Sequence, residues 1–125
     1  MTIDITTAMT VTVAGPVVIQ SNSNYTVGAV DTVSLTLDAA IVDQEVLIQP
    51  GPASAIMVLA LHSEPAAQAI SYKTAVGAPA IELRGAHVYN GPNMVALLGV
   101  TPTSLFLSNP NADPHPVTII IARNP

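Results

Sequence analysis

Apolar and polar positions alternate with a period of two along much of this chain, and that alternation predicts strands. Thr32-Val33-Ser34-Leu35-Thr36-Leu37 is the cleanest case, with Val33, Leu35 and Leu37 on one face and Thr32, Ser34 and Thr36 on the other. Met9-Thr10-Val11-Thr12-Val13 repeats the pattern, and Gly15-Pro16 stops it. Val17-Val18-Ile19 reads as a short strand that gives way to a polar loop from Gln20 to Asn24, because Ser and Asn favour turns. Extended structure resumes at Tyr25-Thr26-Val27, with a bend at Gly28. Val42, Val46 and Ile48 fall in step on the next strand, with Asp43 and Glu45 opposite. Ile70-Ser71-Tyr72-Lys73 turns Ile70 and Tyr72 inward, and Ile81–Leu83, His87–Tyr89 and Leu105–Leu107 are further short strands.

Two stretches are apolar throughout rather than alternating. In Pro50–Leu61, a Pro-Gly-Pro break leads into Ala55-Ile56-Met57-Val58-Leu59-Ala60-Leu61, which predicts a strand buried on both faces. Met94–Leu98 reads the same way, and Val117-Thr118-Ile119-Ile120-Ile121 is the strand that ends the fold. Asn90-Gly91-Pro92-Asn93 is a strong turn signal. Asn109 to Pro116, with prolines at 110, 114 and 116, predicts a rigid, extended loop. Only Pro65–Ala69 allows a helical turn, and no longer helical period is seen.

About nine or ten short strands at roughly ten-residue spacing mark an all-β fold, an antiparallel β-sandwich. A jelly-roll-like sandwich is the first expectation, because small domains of eight strands close that way, and an immunoglobulin-like sandwich is the second. Residues 1–7 read as an N-terminal arm or edge strand, and 8–125 as a single β-sandwich domain.

Composition sharpens this picture at one point. Half of the residues are hydrophobic and only 9% are charged, against about 25% charged in an ordinary domain. So few charges cannot dress the surface of a small domain, and the uncharged remainder is expected to be covered by copies of the chain or by a partner. Net charge is −5, and Lys73, Arg84 and Arg123 are the only bases. Three scattered cations do not neutralise a phosphate backbone or hold an anionic bilayer, so neither nucleic acid nor membrane is expected as a partner. No apolar run approaches the ~20 residues of a spanning helix. Met1–Ile5 lacks the basic start of a signal peptide, so a soluble, non-exported chain is expected.

Candidate chemistry is sparse. The chain has no Cys, which removes disulfides and thiolate chemistry. His62, His87 and His115 show no ligand spacing. A cupin-type metal site on a jelly roll would need His residues one apart plus a carboxylate. Asp43 and Glu45 share a predicted strand face, but glycoside chemistry also needs a cleft lined for sugar between acids about 5–9 Å apart. With no Trp, one Phe and three Tyr, an aromatic platform is missing. No G-x-S-x-G elbow and no phosphate-cradling Gly loop occur. We therefore expect no catalytic residue, no metal and no cofactor. Asp113 and His115 lie on the Pro-stiffened loop, where a symmetry axis could gather copies of them.

Ile48-Gln49-Pro50-Gly51, Ser104 to Asn109 and Val117 to Ile121, in a Cys-free, low-charge chain of Thr/Ala/Val-rich strands, resemble small virion proteins of tailed bacteriophages, above all capsid decoration (cement) proteins. The likeness covers the whole chain as a style and transfers no functional residue. It implies a β-sandwich that oligomerises, often as a trimer, and clamps the major capsid protein on the capsid surface of a virion, after synthesis in the host cytoplasm. The interface candidates are Ile3 and Ile5 in the arm, Asn90, Gly91, Pro92 and Asn93 in the turn, and Asp113, Pro114, His115 and Pro116 in the loop. The alternative is a receptor- or carbohydrate-binding module of a phage fibre or adhesin.

Overall fold

The computed structural model describes residues 2–48, 55–64, 66, 68–99 and 102–124. The Pro-Gly-Pro break lies outside them, as do Pro65 and Ala67 of the expected Pro65–Ala69 turn. Ten strands are described: β1 (Ile3–Thr12), β2 (Val17–Val27), β3 (Ala29–Leu37), β4 (Gln44–Leu47), β5 (Ala55–Ser63), β6 (Ile70–Lys73), β7 (Ile81–Leu83), β8 (Gly85–Asn90), β9 (Ser104–Ser108) and β10 (His115–Asn124). A single turn of helix, α1 (Pro92–Val95), runs into a 3₁₀ turn at Ala96–Leu98.

Eight strands form an antiparallel sandwich. Each strand of the first half pairs with its mirror in the second: β3 with β10, β4 with β9, β5 with β8 and β6 with β7. The chain from β3 to β10 is thus one long two-stranded ribbon. Rolling that ribbon brings β10 beside β5 and β9 beside β6, giving sheets ordered β3-β10-β5-β8 and β4-β9-β6-β7. That winding is the jelly roll expected from the sequence. Two-sided burial of β5 follows from its place inside the first sheet: Leu59 and Leu61 face the opposing sheet, while Val58 faces the other way and is also buried.

The core lies between the sheets, from Leu37, Leu59, Leu61, Val117, Ile119 and Ile121 on one side to Val46, Ile70, Tyr72, Leu83, Leu105 and Leu107 on the other. One polar cluster crosses it near the β8 edge. The Tyr72 hydroxyl, on a residue with no exposed surface, bonds to His87 Nδ1 at 2.7 Å and to the Tyr89 hydroxyl at 2.6 Å, donating one bond and accepting the other. Burial, aided by the Tyr89 hydroxyl, pushes the Tyr72 phenol far above its ordinary value of 10.0. Below pH 10 the phenol is protonated in both the folded and the unfolded chain. Above it the unfolded chain releases a proton that the folded chain keeps, so stability falls by up to ~1.4 kcal/mol per pH unit from this group. We expect Tyr72→Phe to cost about 1–2 kcal/mol at pH 7 and to lack that alkaline component. Urea melts from pH 7 to 11 check it: the gap between the two proteins narrows above pH 10, and a gap that stays constant contradicts the assignment.

Four segments differ from the sequence expectation, each for a local reason. Residues 3–7 and the strand expected at 9–13 are one strand, β1, paired along its length with β2. Gln20–Asn24 is part of β2 and not a loop, because every residue there has a partner on β1 and polar pairs such as Thr6 Oγ1 to Asn24 Oδ1 (2.9 Å) suit its solvent face. Met94–Leu98 is helical: Pro92 opens α1 behind Gly91, Val95 is buried and Leu97 is 76% exposed. Val42 is out of step with Val46 and Ile48, and is 73% exposed, because Asp43 takes a positive φ of 52° and β4 begins only at Gln44.

Candidate interaction surface

The β1–β2 hairpin is a separate two-stranded sheet laid over the outside of the first sandwich sheet. Its turn is tight: Ala14 and Gly15 both have positive φ, 51° and 100°, and Val13 N–H donates to the Pro16 carbonyl at 3.1 Å. Positive φ at both central positions is the two-residue turn that matches strand twist.

The hairpin is amphipathic. Cross-strand partners share a face, so the inner face carries Ile3 with Val27, Ile5 with Tyr25, Thr7 with Ser23, Met9 with Ser21 and Val11 with Ile19. The outer face carries Asp4, Thr6, Ala8 and Thr10 against Thr26, Asn24, Asn22 and Gln20. Near its base the inner face is packed: Val27, Val58 and Ala122 are buried together, with Ile3, Ile5, Tyr25, Met57 and Val88 against them. Further along, an open cleft of about 240 Å³ separates hairpin from sheet, with Ile5 and Met9 on one wall and Val58, Ala60, Val88 and Ile120 on the other. At the tip no described residue covers the hairpin, and Met9, Val11, Val13 and Ile19 are 38%, 49%, 59% and 57% exposed.

The two outer faces of the sandwich differ in charge. Register places Val30, Ala122, Val58 and Asn90 in one row under the hairpin base. Thr32, Ile120, Ala60 and Val88 form the next row, and Ser34, Thr118, His62 and Ala86 the row after it. None of these rows holds an Asp, Glu, Lys or Arg. Around the other sheet lie Glu45, Glu82 and the ion pair of Lys73 with Asp43 at 3.2 Å. The hairpin itself contains one charge, Asp4.

The residues singled out from sequence fall in two places. Ile3 and Ile5 pack on their own sheet, so within one chain they are already used. Asn90 to Asn93 lie at the same end: Asn90 Nδ2 donates to Ser23 Oγ at 3.3 Å, and a Cβ on Gly91, whose φ is 96°, would sit 2.9 Å from the Tyr25 hydroxyl oxygen. Asp113 to Pro116 lie at the opposite end of the sheet, where β10 begins. His115 and Pro116 belong to that strand rather than to the loop. Pro116 is tolerated because it precedes the pairing with β5 and has only Thr36 of β3 opposite. His115 donates from Nε2 to the Glu64 carbonyl at 2.6 Å. Asp43 and Glu45 form no acid pair, since Asp43 is held by Lys73 and Glu45 accepts from Ser104 Oγ at 3.2 Å. Among the described residues no three His, Asp or Glu side chains gather as a metal-binding group.

Met9, Val11, Ile19, Ala60 and Ile120 were not among the candidates. The signal for Met9 and Val11 was present in the odd-numbered run Ile3, Ile5, Met9 and Val11, which shares one face once 3–12 is read as a single strand. Comparison with known proteins finds no matching family, no matching curated protein and no matching solved structure.

Proposed function

We propose that this chain is a non-enzymatic structural protein of a virion, a capsid decoration protein of the tailed-bacteriophage kind, which joins copies of itself and clamps the major capsid protein. The observation that carries the reading is the segregation of charge. One sandwich face and the hairpin above it carry only Asp4 and end in an exposed apolar tip, while Glu45, Lys73 and Glu82 lie on the other sheet and the first sheet's Asp31 and Arg123 are spent on each other in an ion pair. Such a division suits a protein that works by contact, with one side turned to protein and the other to water. The jelly roll is in keeping with it, because that architecture serves viral capsid proteins, although it also serves lectins and cupins. A trimer is the favoured assembly.

The test is binding to capsids assembled from the major capsid protein encoded in the same genome. We expect the purified chain to co-sediment with them at a fixed ratio to capsid subunits and to raise their melting temperature, as a ligand specific for the assembled state must. No co-sedimentation at a tenfold excess over subunits rejects the reading. A specific hit on a glycan array moves the chain to the carbohydrate-binding alternative.

A further inference from the structure

We propose that the tip of the β1–β2 hairpin, presenting Met9, Val11, Val13 and Ile19, docks in the apolar cleft between hairpin and sheet of a second copy of this chain. The inference deepens the contact function proposed above and rests on it for its biological sense, but not for its geometry.

Four observations converge on a second copy as the occupant. The hairpin keeps its amphipathic pattern beyond the part that its own sheet covers, with Val11 and Ile19 paired on the inner face and Thr10 and Gln20 on the outer one. An isolated two-stranded hairpin has little stability of its own in water, so an apolar inner face carried to the tip implies a surface for it to lie on. The second observation is the surface that the base of the same face already uses. Val27 packs with Val58 and Ala122, and the next row of that sheet, with Ile120 37% exposed and Ala60 and Val88 half-buried, continues the same chemistry into the open cleft. The third is stoichiometry: among the described residues each chain offers this uncovered tip and this unfilled cleft, and pairing copies resolves both needs at once. The fourth is charge. A net charge of −5 opposes self-association in general, but the three sheet rows hold no Asp, Glu, Lys or Arg and the hairpin holds only Asp4, away on its outer face. The contact therefore brings apolar surface together without desolvating a charge. Mutual exchange between two copies gives a two-fold dimer, and head-to-tail donation gives a closed ring such as a trimer. Both use this one contact.

The chain contains no cysteine, which makes the test direct. Val11→Cys and Ile120→Cys are made as two separate proteins, so no crosslink can form within a chain. On mixing and mild oxidation, we expect the dominant product to join Val11→Cys to Ile120→Cys, identified by mass. A product that joins only like variants, or no product above the level seen in denaturant, overturns the proposal. Light scattering gives the second readout. Wild-type protein should show a multiple of 12.8 kDa, and the double variant Val11→Asp/Ile19→Asp, altered only at exposed tip positions, should fall to the monomer mass with its far-UV spectrum unchanged. A wild-type monomer throughout a dilution series, or a double variant that keeps the wild-type mass, also overturns it. A monomer that still coats capsids removes hairpin docking and leaves the decoration role standing. An oligomer that ignores capsids does the reverse.

Discussion

Asn109→Leu is expected to remove about 3–5 kcal/mol of folding stability, a large part of what a domain of this size possesses. Asn109 has no exposed surface and every polar atom of its side chain is used. Nδ2 donates to the carbonyls of Leu37 and Asp38, each at 3.2 Å, and of Asp113 at 2.9 Å. Oδ1 accepts from the Asn111 backbone N–H at 3.0 Å and from Asn111 Nδ2 at 2.9 Å. Its own backbone N–H donates to the Ile41 carbonyl at 2.9 Å. One side chain thus ties the end of β9 to the β3–β4 connection and to the loop that leads into β10. Leucine keeps the volume but leaves several backbone groups facing apolar atoms, and each stranded group costs about 1–3 kcal/mol. Thermal melting should show a fall of roughly 10–20 °C. Asn111→Ala, which removes a more exposed partner, should cost only about 1 kcal/mol. If the two substitutions cost the same, the Asn109 network is not what holds these connections.

That loop shows where sequence reading succeeded and where it stopped. The prolines at 110, 114 and 116 announced a loop, and residues 109–114 form one, although His115 and Pro116 already belong to β10. They could not announce that Asn109 is its anchor, because the partners are carbonyls about 70 residues away in sequence, and an asparagine in a polar stretch looks like any turn residue. The sandwich strands were legible because one face of each is buried: Val33, Leu35 and Leu37 in β3, Ile70 and Tyr72 in β6, and Leu105 and Leu107 in β9 all turn inward as their spacing requires. Gln20–Asn24 was illegible for the converse reason. It pairs on the outside of the molecule, where a β-strand needs hydrogen-bonding partners and hardly any apolar residues. Met94–Leu98 was misread because five apolar residues carry no period, and the proline before them, rather than their hydrophobicity, sets the helical turn. The hairpin surface was half legible: its apolar positions are plain, but dividing the strand at residue 7 hid that they share one face.

The faces of that same sheet yield the second large effect. Leu61→Ala should cost about 3–4 kcal/mol, since Leu61 is 1% exposed, lies in the middle of the core beside Ile119 and His87, and leaves a cavity that two interlocked sheets cannot close. Ile120 is one residue along from Ile119 on β10, with its side chain on the opposite face and 37% exposed. In an isolated chain, Ile120→Ala should therefore cost about 1 kcal/mol or less, because its surface is already partly wet. The contrast becomes diagnostic when protein concentration is varied. An interior cavity weakens every copy equally, so the loss from Leu61→Ala stays constant across a dilution series. A side chain that also receives the hairpin of another copy loses more when copies are paired, so the deficit of Ile120→Ala should grow with concentration as assembly is drawn on. Denaturant melts over a hundredfold range of concentration separate the two. A deficit for Ile120→Ala that is small and constant over that range would place Ile120 on an ordinary exposed face, and would leave the exposed hairpin tip without a partner on this sheet.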